Sequence, residues 1–214
     1  MSEQVLVLGA GGHATVVVDL LRQLNYDIVG IVTPREFDSN PVFKGVNVYL
    51  DDRDVLNFDQ DKILLVNGIG SLPGDKTRSR LHVKFKNYGF SFLTLIAPTA
   101  IVSSFVGLSE GVQIMPGAII NANSSVGEGT IVNSGAVVEH DCHIGPHNHL
   151  APGCRLSGNV STGAFVHVGT GAVLIQNVTV GNEAVVGAGA ALTRDLSHNE
   201  KLLVAKPHLL SGET

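Results

Sequence analysis

The fold is decided by a segment that reads IMPGAI INANSS VGEGTI VNSGAV V from Ile114 to Val138. An aliphatic residue opens each group of six, and the same period runs from Ile96 to Leu192. Sixteen of its seventeen positions are Val, Ile or Leu, and Thr162 is the exception. A second column, four residues later, holds small residues or Val, apart from Asn148.

A period of six is neither helical nor that of an alternating strand. It is typical of a parallel β-helix built from hexapeptide repeats, in which each hexapeptide makes one short strand and one bend. Three hexapeptides close a coil of eighteen residues, so residues 96–192 predict between five and six coils. The aliphatic column is predicted to point into the prism. Glycines after aliphatic positions, such as Gly127 and Gly145, are predicted to tolerate the conformation of the bends.

Composition limits the classes of function. The chain has 214 residues, 44% hydrophobic residues, 25 glycines and no Trp, which suits a turn-dense solenoid beside one small domain. A net charge of −5 without a basic run argues against nucleic acid as a partner. No apolar run reaches the roughly 20 residues that span a bilayer, and no signal peptide is evident. Cys142 and Cys154 fall on different faces, so free buried thiols and a cytoplasmic location are expected.

The first 95 residues predict a small Rossmann-like α/β domain. A strand at 5–8, a turn from Gly9 to His13, a helix at about 14–24 and a strand at 28–32 form a βαβ unit. The turn matches G-x-G-x-x-A, which allows a dinucleotide site, a site for a mononucleotide or nucleotide-sugar, or a turn kept only for packing. Thr33 and Pro34 stand where a NAD site expects an acid, and the domain is half the usual size, which disfavours NAD.

Further elements complete this outline. A buried strand at 63–66 ends in a second glycine turn at 67–71, and ligands of open α/β sheets bind outside such strand ends. The turns 9–13 and 67–71 are therefore predicted to flank one crevice. The helix at 75–87 has a basic face that is expected to be solvated. Residues 193–214 are predicted to cap the open end of the prism.

The candidate chemistry lies in a run with four histidines in ten residues. A zinc site is considered, but on the repeat His143 and His149 fall on consecutive faces and His147 at another point, so they do not converge. His140 is the better candidate, since its neighbours eighteen residues away are Ala122 and Gly158. An adjacent carboxylate, Glu139 or Asp141, would suit a general base, although a surface histidine remains the alternative. His149 and His167 are predicted to stack, lining either a groove or a solvated column.

Taken together, these motifs resemble the sugar O-acyltransferase family. It includes sialic acid O-acetyltransferases and bacterial N-acetyltransferases of nucleotide-linked amino sugars, such as UDP-linked bacillosamine precursors and GDP-perosamine. The resemblance rests on the turn Gly9–His13, on Gly68-Ile69-Gly70, on the hexapeptide array and on the run from Asn133 through His140-Asp141 to His149. The array alone indicates only the hexapeptide superfamily, whereas the glycine turn with the His140-Asp141 pair is more specific.

The resemblance implies a left-handed β-helix, a homotrimer with acetyl-CoA between neighbouring subunits, and no metal. It implies that His140 is the catalytic base and that Asp141 orients it. The implied contacts to a nucleotide-linked amino sugar are Gly11, Gly12, His13, Gly68, Gly70 and Asn133. The implied contacts to acetyl-CoA are His149, Gly158, Gly187 and Ala188.

The implied reaction is acetyl transfer from acetyl-CoA to the 4-amino group of a nucleotide-linked 4-amino-4,6-dideoxy sugar. A UDP-linked bacillosamine precursor is the favoured substrate, used for a bacterial surface glycan or glycoprotein. A backbone N–H or His149 is expected to stabilise the thioester oxygen. The sequence departs from relatives at Thr33-Pro34 and in the tail Val204-Ala205-Lys206-Pro207. The alternatives are O-acetylation of sialic acid, and a β-helix metalloprotein or non-catalytic trimer.

Overall fold

The N-terminal domain is a parallel sheet flanked by two helices. The computed structural model describes residues 3–34 and 40–205. The strands run in the order β3-β2-β1-β4-β5, all parallel. The strands are β1 (Gln4–Leu8), β2 (Asp27–Val32), β3 (Val48–Tyr49), β4 (Ile63–Asn67) and β5 (Ser91–Phe92); the helices are α1 (Gly12–Gln23) and α2 (Thr77–Asn87), with 3₁₀ turns at Pro41–Phe43 and Asp52–Asn57. This confirms the predicted Rossmann-like α/β class.

The remainder is a left-handed parallel β-helix of triangular section. Successive strands in one sheet are offset by eighteen residues, as in the pairing of Ile119 with Val137. The face on which the N-terminal domain packs is called the docked face. It has seven strands: β6 (Leu95–Ile96), β9 (Gln113–Ile114), β12 (Ile131–Val132), β15 (His149–Leu150), β18 (His167–Val168), β21 (Val185–Val186) and β23 (Lys201–Leu202). The apolar face has six: β7 (Ile101–Val102), β10 (Ile119–Ile120), β13 (Val137–Val138), β16 (Arg155–Leu156), β19 (Val173–Leu174) and β22 (Ala191–Leu192). The polar face has five: β8 (Gly107–Leu108), β11 (Ser125–Val126), β14 (His143–Ile144), β17 (Ser161–Thr162) and β20 (Thr179–Val180).

The sheets of the β-helix extend beyond the predicted boundary at residue 192. Leu196 is buried in the prism core and bridges Val180, and β23 pairs with β21. The part of the predicted cap that spans 193–205 therefore continues the coil. Lys206 and Pro207 of the rearranged tail lie outside the described residues.

The two polar exceptions in the repeat bond to one another inside the prism. The Asn148 amide nitrogen donates to Thr162 Oγ1 at 2.6 Å, and its oxygen accepts from the Val166 N–H at 2.7 Å. Thr162 Oγ1 also accepts from the Gly145 N–H at 3.0 Å. Because a buried polar group without a partner is costly, each exception requires the other.

The glycines after the aliphatic column serve a purpose other than the predicted one. A side chain at Gly127 would stand 2.6 Å from the Gly145 carbonyl carbon, and one at Gly169 would stand 2.5 Å from the Ala188 nitrogen. These glycines therefore allow the coils to stack closely. The left-handed φ of the bends falls two residues later, for example +65° at Gly129 and +61° at Asp141.

The N-terminal domain packs on the docked face through both helices. Ile131 and Met115 are buried with Val17 of α1 in one apolar cluster. Lys86 of α2 pairs with Glu110 at 2.6 Å. The prediction that the basic face of α2 is solvated is wrong for Arg78, which is 6% exposed, whereas Lys76 and Arg80 are exposed.

Two further features concern the length of the helices and the state of the cysteines. No helix among residues 3–34 and 40–205 is long and apolar enough to cross a bilayer. Cys142 and Cys154 are free and buried, as predicted. Burial raises the pKa of both thiols, which makes them poor nucleophiles.

Candidate functional site

The two glycine turns flank a crevice at the carboxyl ends of the strands, as predicted. Gly9 and Ile69, which pack against each other, line a cavity of about 310 Å³, and α2 adds Arg80 and Lys84. Because the sheet order reverses between β1 and β4, this is the switch point where such folds bind ligands. Asp52 also lines the crevice and pairs with Lys84 at 3.7 Å, so the positive charge that an anionic ligand would meet comes mainly from Arg80.

The turn glycines have different roles. A side chain at Gly11 or Gly12 would meet no described atom of the rest of the protein within 4 Å, so the space in front of the start of α1 is open. Among the described residues no side chain caps this helix, and its first turn has no acid, so its N–H groups are available to an anion. A side chain at Gly68 would lie 2.8 Å from the Ala14 Cβ, so Gly68 is needed for packing. A side chain at Gly70 would make only an ordinary contact, 3.7 Å from the His13 Cβ.

A second pocket, of about 480 Å³, joins the N-terminal domain to the docked face. His13, Gly70, Asn133 and His149 line it, together with Ser71 and Asp75 of the loop before α2. The structure thus brings together four residues that the sequence assigned to substrate and acetyl-CoA. We call this the interdomain pocket.

His149 is a neutral imidazole with both nitrogens occupied. Its Nδ1 lies 2.9 Å from the Ser71 carbonyl oxygen, which can only accept, so Nδ1 carries the proton. Its Nε2 accepts from the Asn133 amide nitrogen at 3.0 Å, and the Asn133 oxygen accepts from the Ser134 N–H. Burial lowers the pKa of His149 to about 4. His149 therefore has no free donor for a thioester oxygen, contrary to one expectation from the sequence.

His140 and Asp141 form a pair elsewhere, at the corner between the apolar and polar faces. His140 Nδ1 lies 2.7 Å from Asp141 Oδ2. This hydrogen bond holds the pKa of the Asp141 carboxyl below its usual value. A carboxylate accepts from Nδ1–H, so Nε2 bears the lone pair of a potential base. The side chain of His140 is 64% exposed, and a Cβ at Gly158 would lie 2.8 Å from its Nε2.

The described chain does not bring these two groups together. Asn133 lies at the corner between the docked and apolar faces, whereas His140 lies at the next corner, across the apolar face. Gly187 and Ala188 lie on the Asn133 corner, three coils further along. Gly158 lies on the His140 corner, so the residues assigned to acetyl-CoA are also divided between the two corners.

The remaining histidines diverge, as the repeat predicted. His143 contacts Ser125 Oγ at 3.1 Å on the polar face. His147 occupies the third corner and stacks on Phe165. His149 and His167 meet edge to face on the docked face, with ring centroids 5.0 Å apart. Within residues 3–34 and 40–205, no three His, Cys, Asp or Glu side chains form a group that could hold a metal.

Two residues that support the lining of the interdomain pocket were missed from the sequence. Arg78 of α2 donates to the carbonyl oxygens of Asn67 and Ile69 at 2.7 and 2.6 Å, which fixes the second glycine turn. Gln113 of the docked face contacts Arg78, Asn67 and His13. Neither position has a periodic signal, because both depend on how α2 lies on the prism.

Two family models match the chain. Residues 4–85 match the PglD N-terminal domain, and residues 123–158 match the bacterial transferase hexapeptide model of six repeats. Comparison with curated proteins gave no match.

Solved structures resemble the chain over almost its whole length. Perosamine N-acetyltransferase from Caulobacter crescentus was solved as two variants, in which one histidine is replaced by Asn or by Ala, each with CoA and GDP-perosamine. Each variant shares 36% identity with this chain, and the alignment covers 92% of both chains with a TM-score of 0.83. PerB from the same organism, with the same two ligands, shares 39% identity over 91% of both chains at 0.81. The acetyltransferase domain of PglB from Neisseria gonorrhoeae, with acetyl coenzyme A, shares 29% identity over 94% of this chain and 96% of that one at 0.85.

Proposed function

Since the chain belongs to the hexapeptide-repeat family of nucleotide-linked amino-sugar N-acetyltransferases, we propose that it acetylates the 4-amino group of a nucleotide-linked 4-amino-4,6-dideoxy sugar. The acetyl donor is acetyl-CoA. The UDP-linked bacillosamine precursor favoured by the sequence and GDP-perosamine, the ligand of the 39% identical relative, are the two substrates to compare first. The observation that carries the proposal is the interdomain pocket beside the cationic crevice.

The crevice and the pocket together suit a nucleotide-linked sugar. Arg80, Lys84 and the uncapped start of α1 would receive the diphosphate and the nucleoside. Ile69 lines both cavities, so a ligand bound in the crevice can extend past it into the interdomain pocket. The sugar would then lie beside His13 and Asn133.

A homotrimer would complete the site. The outward column of the apolar face contains Ile101, Ile119, Val137, Val173 and Ala191, with Arg155 as its one charged residue, and Ile101 is 66% exposed. The same column of the polar face contains Ser125, Ser161 and Thr179, so the apolar face is the better subunit contact. The two edges of the apolar face are the His140 and Asn133 corners. Cyclic packing across this face would place His140 of one subunit beside the interdomain pocket of the next.

The chemistry follows from this arrangement. The lone pair of the neutral amine attacks the thioester carbonyl carbon while His140 Nε2 accepts the proton that the nitrogen loses. Asp141 stabilises the resulting imidazolium, and general-base help of this kind contributes typically ~10²–10⁴ in rate. Collapse of the tetrahedral intermediate breaks the C–S bond, and the CoA sulfur leaves and takes the proton from His140. A backbone N–H must stabilise the oxyanion, because His149 has no free donor.

A thiol-release screen tests the function. The protein is incubated with acetyl-CoA and UDP-, GDP- or dTDP-linked 4-amino sugars, with CMP-sialic acid as the O-acetylation rival. Release of CoA with an amino sugar, and an acetamido product by mass spectrometry, supports the proposal. Turnover only with the sialic acid, or stoichiometric zinc in active protein, would contradict it.

The variant His140→Ala tests the base. It should lose most turnover but keep its oligomeric state and its affinity for both substrates. The relatives in which a histidine was replaced still hold CoA and GDP-perosamine, which supports that separation. Near wild-type turnover would remove His140 from the mechanism.

A further inference from the structure

The tautomer of His13 is fixed by two residues that do not line the interdomain pocket. Gln113 Oε1 lies 3.0 Å from Arg78 Nη2, which can only donate, and Gln113 Nε2 lies 2.9 Å from the Asn67 carbonyl oxygen, which can only accept. Both contacts define the same orientation of the amide. His13 Nε2 lies 2.8 Å from Gln113 Oε1, so Nε2 must carry the proton.

The other nitrogen of His13 is left as an acceptor. Within the described part of the chain, Nδ1 has no hydrogen-bond partner and is not sealed from solvent, while the side chain lines the interdomain pocket. Burial and the nearby Arg78 charge lower the pKa of His13 to about 4, so the ring is neutral at pH 7. The ionisable groups near it are Arg78, His149 and Asp75.

Arg78 is an unusual group to bury. It is 6% exposed, and its hydrogen-bond partners in the described residues are carbonyl oxygens and an amide oxygen rather than carboxylates. Burial lowers the pKa of its guanidinium to about 9. A buried cation without a counter-ion is costly, so packing alone does not account for it. Its charge disfavours a second proton on His13, which keeps Nδ1 free.

We propose that Gln113 and Arg78 are positioning residues for the transfer reaction: they hold His13 as the neutral Nε2–H tautomer, so that Nδ1 accepts a hydrogen bond from the bound sugar. This inference rests on the proposed function for the identity of the ligand. The sugar supplies the donor, an amine N–H or a hydroxyl. A protonated His13, or the opposite tautomer, would present a donor to the sugar instead.

Two substitutions of His13 distinguish its nitrogens. The side-chain amide of Asn stands where Nδ1 stands in histidine, whereas that of Gln stands where Nε2 stands. If Nδ1 is the working acceptor, His13→Asn should keep about tenfold more kcat/KM than His13→Gln, the value of one hydrogen bond. Equal losses, or a more active Gln variant, would overturn the role of Nδ1.

A substitution of Gln113 tests the positioning. Gln113→Glu keeps the shape but places a carboxylate against His13, which should raise the pKa of that ring. Below the raised pKa, kcat/KM should fall about tenfold for each pH unit and recover at higher pH. A structural defect would lower activity equally at all pH values. Gln60→Glu adds the same charge at an exposed site and should keep the wild-type profile.

The imidazole ¹⁵N spectrum of the ligand-free protein gives a readout that does not need a substrate. We expect wild-type His13 to be protonated at Nε2 only at pH 7, and Gln113→Glu to shift it towards the doubly protonated form. An Nδ1–H or charged His13 in the wild type would refute the inference even if the enzyme acetylates sugars. Conversely, a wild-type protein that acetylates none of the amino sugars contradicts the proposed function, while the spectrum still decides the tautomer of His13.

Discussion

A site shared between subunits can be tested by mixing two inactive chains. One chain carries His140→Ala, which removes the base. The other carries Gly70→Phe, which fills the interdomain pocket. A Cβ at Gly70 would be 3.7 Å from the His13 Cβ, and Gly70 lacks a left-handed φ, so the larger side chain should not unfold the protein. Each chain alone should form inactive trimers.

The expected recovery follows from the cyclic arrangement. A productive site needs His140 from the chain with Phe at 70, and an open pocket from the chain without His140. Every mixed trimer, whichever chain is in the majority, contains one such junction among its three. Mixed trimers should therefore show about one third of wild-type activity.

The assay isolates mixed trimers by two successive affinity tags after co-expression and measures CoA release at saturating substrates. The matched control is a single chain that carries both substitutions, assembled with wild-type chains. It shows how much activity a trimer loses when one subunit contributes neither a base nor an open pocket. No activity above that of the pure variants would mean that the site lies within one subunit. Recovery of one half would instead indicate a two-fold dimer.

Three further predictions concern the scaffold. Gly158→Ala places a methyl group 2.6 Å from His140 Cε1, so kcat should fall while the melting temperature stays unchanged. An unchanged kcat would contradict the placement of the His140 ring over Gly158. Asn148→Val and Thr162→Val should each cost about 2–4 kcal/mol, and the double variant less than their sum, because each single change breaks the same Asn148–Thr162 hydrogen bond. Urea unfolding at fixed protein concentration measures this, and additive losses would refute the coupling. Burial lowers the pKa of His13, His147 and His149 to about 4, so these side chains take up protons in the unfolded chain at a higher pH than in the folded one. The free energy of unfolding should therefore be constant above about pH 6.5 and fall as the pH drops towards 4. A urea midpoint that does not change with pH would argue against the burial of these histidines.

The scaffold was readable from the sequence because a strict period carries three-dimensional information. Residues eighteen apart must stack, so the divergence of the histidines and the contact of His140 with Gly158 followed from counting. Thr162 and Asn148 stand out in the sequence as exceptions to the hexapeptide pattern, but the pattern alone does not show the hydrogen bond between their side chains. Two polar residues assigned to an apolar interior are themselves a signal that they pair.

The periodicity could not predict what α2 contacts. Arg78 is buried and Lys84 lines the crevice, although both belong to one basic helix. Which residue of a helix meets the prism depends on its rotation and register against the docked face, and no repeat encodes these. The same limit applies to Gln113, whose importance comes from three neighbours that are distant in sequence.

The third corner of the prism, between the polar and docked faces, shows how the two domains are held. Five positions eighteen apart have a left-handed φ, which glycine adopts at little cost but other residues adopt at roughly 1–2 kcal/mol each. They are Gly111, Gly129, His147, Phe165 and Glu183. The two glycines lie below His82 of α2, where a side chain would collide with its ring or with that of His147.

The three residues with this conformation that are not glycine all contact the N-terminal domain. His147 packs edge to face on His82, Lys76 lies 5.0 Å over the Phe165 ring, and Lys76 also pairs with Glu183 at 3.1 Å. These contacts offset the backbone strain and hold the C-terminal end of the loop before α2. That loop supplies the Ser71 carbonyl that fixes His149. At the His140 corner the same conformation is held by Asn and Asp, which adopt it more readily than His, Phe or Glu. The third corner therefore accepts the costlier residues because their side chains fix the junction between the two domains.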